Sequence, residues 1–459
     1  MTGTIAAAWP PRYDPLYRPA PGEAYWDRAR ETMSPDERAA LILAKIQAVM
    51  AWAWDRAPFY RERWSAAGLE PGDVKSLDDF SRVPTISKAD LRRDQAERPP
   101  FGSYLCVEPH EVARIHGTSG TSGRPTAFAW TAGDMARIAE AHARIMWSMG
   151  LRPSDTVFIG SILSLYVGSW GALLGTERLG ATAFPFGAGV PGQTLQAVGW
   201  LQQMRPSAFY GTPSYALRLA EAARSQNVDP ASLGLRVMFF SGEPGAGIPA
   251  TKALIEATFG AICIDSGSMG EVTPWMNLAE CEHRTGMHLW QDLVYAEMLD
   301  PATWRPVPAG GAGTPVYTQL EREGQPMIRL VSGDTAEWSD APCPCGRTYP
   351  RLPRGIVGRI DDMIVIRGEN VYPSAIEDVL RTFPELAGEF EVVLSRVNHM
   401  DELTVRVEAE SAPPGFAERV AAALRRTLGV RPALEFCAPQ SLHRTDLKSR
   451  RVRDERAAS

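Results

Sequence analysis

The 459-residue chain has no apolar run long enough to cross a bilayer, and its opening Met1-Thr-Gly-Thr-Ile lacks the charged and apolar regions of a secretory signal. A membrane partner is excluded on that pattern, and a cytoplasmic protein is expected. Positive charge is not in excess either. With 48 Lys+Arg against 54 Asp+Glu the net charge is −6, which leaves no electrostatic footprint for nucleic acid. Cysteine is scarce: six residues in a chain of this length do not make a disulfide scaffold. Cys106, Cys263 and Cys437 stand alone and read as small buried apolar residues. Internal repeats and long low-complexity segments are missing as well. What remains is an ordinary globular composition, 44% hydrophobic and 22% charged, long enough for two or three domains.

Residues 116–126 read His-Gly-Thr-Ser-Gly-Thr-Ser-Gly-Arg-Pro-Thr. Gly117, Gly120 and Gly123 allow tight turns that expose backbone N–H groups, and Thr118, Ser119, Thr121 and Ser122 add hydroxyl donors. Such a surface suits the oxygens of a polyphosphate. The run is short and lies between strand-like Val112-Ala-Arg-Ile and Ala127-Phe-Ala-Trp, unlike a flexible linker. No Gly-Lys-Ser/Thr follows at Walker A spacing, and the dinucleotide fingerprint fits no better.

Downstream, strands and helices alternate. Helices are expected at 132–149, 167–178, 193–204, 213–226 and 248–259, and strands at 155–160, 181–186, 207–210, 235–240 and 261–265. This predicts an α/β fold of layered sheets. Upstream, Ser34-Pro35-Asp36-Glu37 signals a helix start, and Ser87-Lys-Ala-Asp-Leu signals another. From about 280 to 357 short strands broken by Pro and Gly predict a β-rich subdomain, including Pro326-Met-Ile-Arg-Leu. Residues 358–459 carry their own strand–helix alternation and predict a small α+β C-terminal domain behind a large N-terminal domain of 1–357.

The glycine loop resembles the phosphate loop of the adenylate-forming (acyl-activating) enzymes, and further motifs of that superfamily come after it in order. Ser241-Gly242-Glu243-Pro244 closes a strand where the family's Gly-Glu-Pro turn lines the adenine pocket. Asp265-Ser266-Gly-Ser-Met-Gly-Glu271 closes the next, and the resemblance implies that Asp265 and Ser266 bind the nucleotide and that Glu271 holds Mg²⁺ against the triphosphate. The family's adenine-stacking aromatic would fall on Gly267 or Ser268, which leaves Trp275 or Tyr210 as candidates to substitute. Asp334, ending Val331-Ser-Gly-Asp, inherits the ribose-binding role. Gly358-Arg-Ile-Asp-Asp-Met through Pro373-Ser-Ala-Ile-Glu377 is similar to the phenylacetate–CoA ligase branch. It implies that Arg359 reaches the ribose, that Asp361 is the hinge, and that Arg367 and Gly368 flank the coenzyme A channel. Lys448, in Arg444-Thr-Asp-Leu-Lys, matches the family's C-terminal catalytic lysine, with Leu447 where Gly is usual.

Cys281-Glu-His283-Arg-Thr-Gly-Met-His288 and Cys343-Pro-Cys345 supply three thiols and two imidazoles. Clustered cysteines without a disulfide role suit a metal, and the expected set is Cys281, His288, Cys343 and Cys345 around a structural Zn²⁺. Some phenylacetate–CoA ligase relatives carry zinc in this subdomain. Tyr166, Trp170, Phe186, Tyr215 and His116 are candidates for the acid pocket.

Together the resemblance implies an ATP-dependent carboxylic acid–CoA ligase. It would form acyl-AMP and pyrophosphate from an aryl, arylacetic or short branched acid, then transfer the acyl group to coenzyme A. Loop 118–126 with Thr118, Mg²⁺ at Glu271, and Lys448 are the expected contributors to the first step. The alternative is an adenylation enzyme that passes the acyl group to a carrier-protein thiol or an amine. A homodimer is the family expectation.

Overall fold

The computed structural model describes residues 9–117, 126–165, 167–188, 192–272, 276–360, 362–366, 369–386, 388–397, 400–409, 412–443 and 451–456. Among these, no helix is long and apolar enough to cross a membrane.

The centre is an eight-stranded sheet. Strands Thr182–Phe184, Thr156–Ile159, Ala208–Gly211, Val237–Phe240 and Ile262–Gly267 lie side by side in that order, all parallel. Leu278–Ala279, Met287–Leu289 and Arg351–Leu352 extend it antiparallel. The strand period of two sorts the buried side chains onto two faces. Val157, Ile159, Tyr210, Val237 and Phe239 enter one core; Phe158, Phe209, Met238 and Phe240 enter the other. Burial on both faces explains why these strands read as continuous apolar runs. The helices between them include Ala132–Ser148, Val167–Leu179, Gln193–Met204, Pro213–Ser225 and Pro249–Phe259, close to the expected bounds.

The helix signalled at Ser34 runs Pro35–Arg56. Ser34 Oγ accepts from the Glu37 N–H at 3.3 Å while Glu37 Oε2 accepts from the Ser34 N–H at 3.0 Å, a reciprocal cap.

A second sheet joins Val294–Leu299, Ala312–Gln319, Asp334–Glu337 and Ile356–Arg359, with Leu330–Val331 pairing beside Ala312–Gln319. Here one expectation fails. Of Pro326-Met-Ile-Arg-Leu only Leu330 is in a strand, because Arg329 takes φ of 55° and turns the chain out of extended geometry. Its guanidinium forms a buried pair with Glu297 at 2.9 Å and donates to the Ser81 carbonyl at 2.5 Å.

Residues beyond the second sheet build a separate core. Helices Pro373–Arg381 and Phe416–Leu428 cover a sheet ordered Ala433–Cys437, Met400–Glu408, Phe390–Val397, Val452–Asp454. Ile364, Ile376, Leu380, Val392, Val405, Phe416 and Leu424 pack together there. Cys106 and Cys263 are buried as expected, but Cys437 is only half-buried, because its strand lies at the sheet edge.

A buried ionic network ties the N-terminal segment to the main sheet. Arg144 donates to both Asp292 oxygens at 2.8 and 2.6 Å, and the Tyr349 hydroxyl donates to the same carboxylate at 2.7 Å. Arg347 pairs with Glu31 at 2.7 Å. Burial alone would raise the Asp292 carboxyl, but the charges of Arg144, Lys45 and Arg30 hold it well below the usual range. Its stabilising contribution is therefore complete above the unfolded pKa of about 3.9 and is lost only as pH falls through the folded value. Asp292→Ala should cost about 3–5 kcal/mol by leaving Arg144 buried without its main partner, read as a lower urea midpoint.

Candidate active site

The ends of the glycine loop are set by a hairpin. Val112–Gly117 pairs antiparallel with Ala127–Thr131, Gly117 facing Ala127; residues 118–125 between them, including Thr118, Ser119, Gly120, Thr121, Ser122 and Gly123, lie outside the described residues. The exit strand is fixed by side chains from elsewhere. Gln95 bonds both the N–H and the carbonyl of Ala127, at 3.1 and 2.6 Å, and the Ala129 N–H donates to Gln325 Oε1 at 2.7 Å. At the entry, His116 Nδ1 donates to the Leu165 carbonyl at 3.1 Å, and burial lowers the pKa of its ring.

The expected nucleotide residues gather at the carboxyl ends of the parallel strands. After Val237–Phe240, Gly242 takes φ of 97° and lets the Ser241–Pro244 turn reverse tightly. Ser241 Oγ and the Tyr210 hydroxyl lie 2.8 Å apart, and Glu243 accepts from the Ser214 N–H at 2.7 Å, capping the first turn of Pro213–Ser225. Ser266 donates to the Phe240 carbonyl at 2.7 Å. Asp334 and Arg359 face each other across neighbouring strands, 4.0 Å apart, which brings together the two residues expected at the ribose.

Two residues sit differently from their expected surroundings. Tyr210 does not offer a ring to adenine: it is enclosed in the core against Phe239, with centroids 5.3 Å apart. Trp275 lies outside the described residues. Asp265 is buried beneath Gly247 and Gly355, where an added Cβ would stand 2.6 and 2.9 Å from its Oδ2. Burial and the neighbouring Glu280 charge push its carboxyl well up, and Lys252 pairs with Glu280 at 2.5 Å.

Glu271 is buried, 3% exposed, with Oε1 3.3 Å from Lys88 Nζ and Oε2 without a partner among the described residues. An orphaned carboxylate oxygen in a protein interior calls for a cation or a donor, and an oxygen ligand of this kind fits Mg²⁺. Lys88 escaped the sequence reading. A signal was present: a lysine in the first turn of helix Lys88–Glu97 opposes the helix dipole and implies a partner elsewhere.

The C-terminal unit docks on the large one through helix Pro249–Phe259, whose own N-cap Ile248 provides no side-chain bond. Asp378 accepts from the Ala250 N–H at 3.1 Å, and Thr251 donates to Glu377 at 3.1 Å. Arg451 pairs with Glu377 and lies over the Phe390 ring at 4.4 Å. The hinge residue Asp361, the channel residues Arg367 and Gly368, and Lys448 are outside the described residues.

Cys281, His288, Cys343 and Cys345 meet with their ligand atoms within 4.8 Å of one another, whereas His283 is exposed. Cys281 and Cys343 sulfurs are 3.8 Å apart, and Cys345 Sγ is 3.5 Å from His288 Nε2. Tetrahedral ligands at Zn–S of about 2.3 Å have edges of about 3.8 Å, so the four fit Zn²⁺. Burial works against ionising Cys343, but hydrogen bonds from His288 and Thr285 bring its thiol below the ordinary range, as a metal ligand requires.

Of the acid-pocket candidates, Trp170 lies 6.3 Å from His116 between ring centroids. Phe186 stacks on Phe158 at the edge of the second core, whereas Tyr215 stacks on Phe209 inside it and is 2% exposed. Tyr166 is outside the described residues.

Residues 31–317 match the family model of the AMP-binding enzymes, and residues 368–456 that of the AMP-binding enzyme C-terminal domain. The chain is 35% identical over 389 residues to a phenylacetate-coenzyme A ligase of Thermus thermophilus, covering 84% of each. It is 32% identical to that of Aromatoleum evansii, over 96% of this chain and 99% of the relative. A crystal structure of 2-hydroxyisobutyryl-CoA ligase in the postadenylation state with 2-HIB-AMP superimposes with a TM-score of 0.94 at 52% identity, covering 98% and 96% of the two chains. The same ligase with 2-HIB-AMP and CoA in the thioesterification state superimposes at 0.77, covering 97% and 96%. The chain belongs to the adenylate-forming AMP-binding enzymes. Within that family it is an AMP-forming acyl-CoA synthetase, joining a carboxylic acid to coenzyme A through an acyl-adenylate.

Proposed function

We propose that this synthetase activates a short branched hydroxy acid. The observation that carries the choice is 52% identity to a 2-hydroxyisobutyryl-CoA ligase, against 31–35% to the phenylacetate ligases. An acid carboxylate oxygen attacks the α-phosphorus of ATP, and the bond to pyrophosphate breaks. Loop 118–123 cradles the departing phosphates, Asp334 and Arg359 hold the ribose, and the Ser241–Pro244 turn lines the base. Glu271 would hold Mg²⁺ through its free oxygen, an ion that neutralises triphosphate charge when bound. Lys448 adds the remaining positive charge at the α-phosphate. The C-terminal unit, residues 358–459, then swings about Asp361 and withdraws Lys448. Coenzyme A enters past Arg367 and Gly368, its thiolate sulfur attacks the acyl carbonyl, and AMP leaves. The lower TM-score to the thioesterification state of the same neighbour supports such a rotation. Cys281, His288, Cys343 and Cys345 would hold a structural Zn²⁺ away from the chemistry. A cytoplasmic homodimer completes the reading.

The test is pyrophosphate release over a panel of hydroxy, aryl and arylacetic acids, with and without coenzyme A. Branched hydroxy acids should give the highest kcat/KM and a CoA thioester. Preference for phenylacetate would overturn the substrate, and pyrophosphate without thioester would point to a carrier-protein thiol or an amine as acceptor.

A further inference from the structure

Arg322 is 4% exposed, yet its hydrogen bonds end on neutral oxygens instead of a carboxylate. One terminal nitrogen donates to the Glu271 carbonyl at 3.0 Å and to Gln319 Oε1 at 3.4 Å; the other donates to the Ala129 carbonyl at 3.0 Å. The guanidinium lies 3.5 Å from the centroid of the Trp130 ring. Burial lowers its pKa to about 10, the mark of a charge taken out of water without an equal counter-charge.

The three pieces it touches come from different parts of the fold. Glu271 follows the last parallel strand of the main sheet, and Ala129 lies on the exit strand of the glycine-loop hairpin. Arg322 itself follows the strand Ala312–Gln319 of the second sheet. Under the proposed function, on which this inference rests, the loop and the Glu271 carboxylate must converge on one triphosphate although no sheet joins them. A planar fork with several fixed donors can hold two carbonyls in one geometry; a flexible ammonium cannot.

We infer that Arg322 is a positioning residue which sets Glu271 against the strand Ala127–Thr131, so that metal and triphosphate are bound as a unit. Outer-shell partners of this kind typically change metal affinity by about 10–100-fold. The test uses Mn²⁺ in place of Mg²⁺ on the full chain with a non-hydrolysable ATP analogue, reading bound metal from loss of the free-ion EPR signal. Arg322→Lys, which keeps the charge, and Arg322→Gln, which keeps a planar donor, are compared with Glu271→Gln and with the parent chain.

Arg322→Lys should weaken Mn²⁺ at least about tenfold while metal-free binding of the analogue changes less than about twofold; Arg322→Gln should do the same if the lysine form does not fold. Parent-like Mn²⁺ affinity in a folded Arg322 variant overturns the inference. So does an equal fall in metal-free nucleotide binding, or failure of both variants to fold, since either assigns Arg322 to the core alone. If Glu271→Gln itself binds Mn²⁺ like the parent, the metal assignment of the proposed function has failed, and the coupling falls with it.

Discussion

Lys448→Ala should abolish most adenylation, lowering its rate about 10²–10³-fold, while pre-formed acyl-adenylate is still converted to thioester at close to the parent rate. The split follows from where the segment is anchored. Three residues downstream, Arg451 pairs with Glu377, sits 3.7 Å from Glu389 and covers the Phe390 ring. The strand Val452–Asp454 then runs parallel to Val392–Leu394. The chain is thus anchored in the C-terminal unit three residues beyond Lys448, and under the proposed function a rotation of that unit carries the lysine with it. A charge delivered by rotation serves only the half-reaction performed in that orientation. The measurement is pyrophosphate release beside thioester formation from supplied acyl-adenylate; equal loss of both would sink the role.

Metal removal should act on stability and not on either chemical step. Chelation, or Cys343→Ser, is expected to lower the apparent melting temperature by roughly 5–10 °C, since a structural site contributes directly to folding free energy. The geometry explains why. Cys281 follows the short strand Leu278–Ala279, His288 lies on Met287–Leu289, and Cys343 and Cys345 belong to the stretch leading to Arg351–Leu352. These three strands are only two or three residues long, so backbone pairing alone holds the sheet extension weakly, and a four-ligand centre would staple it. Metal content by mass and a melting curve before and after chelation check this. An unchanged melting point in a chain shown to contain zinc would remove the structural role.

Much of the site was legible because its motifs are local. The glycine loop, the Ser241–Pro244 turn and the Asp334 turn each join a strand to the next element, and each announces itself through turn residues beside an apolar run. Lys88 was not legible as a site residue, because nothing within helix Lys88–Glu97 refers to Glu271. Arg322 looked like one more charge in Glu321-Arg322-Glu323. Tyr210 looked available for stacking because a strand sequence does not say which face is enclosed.

What the amino-acid order by itself determined is the alternation of strands and helices, their caps, and the succession of motifs that carries the adenylate-forming reaction. These depend on periodicity and turn chemistry within a few residues. What only the tertiary structure decided is which distant groups meet: Asp334 opposite Arg359, Cys281 beside Cys343 sixty-two positions away, Glu271 between Lys88 and the Arg322 fork. Those meetings are set by sheet order and strand register, which arise from packing the whole core at once and leave no trace in any one segment.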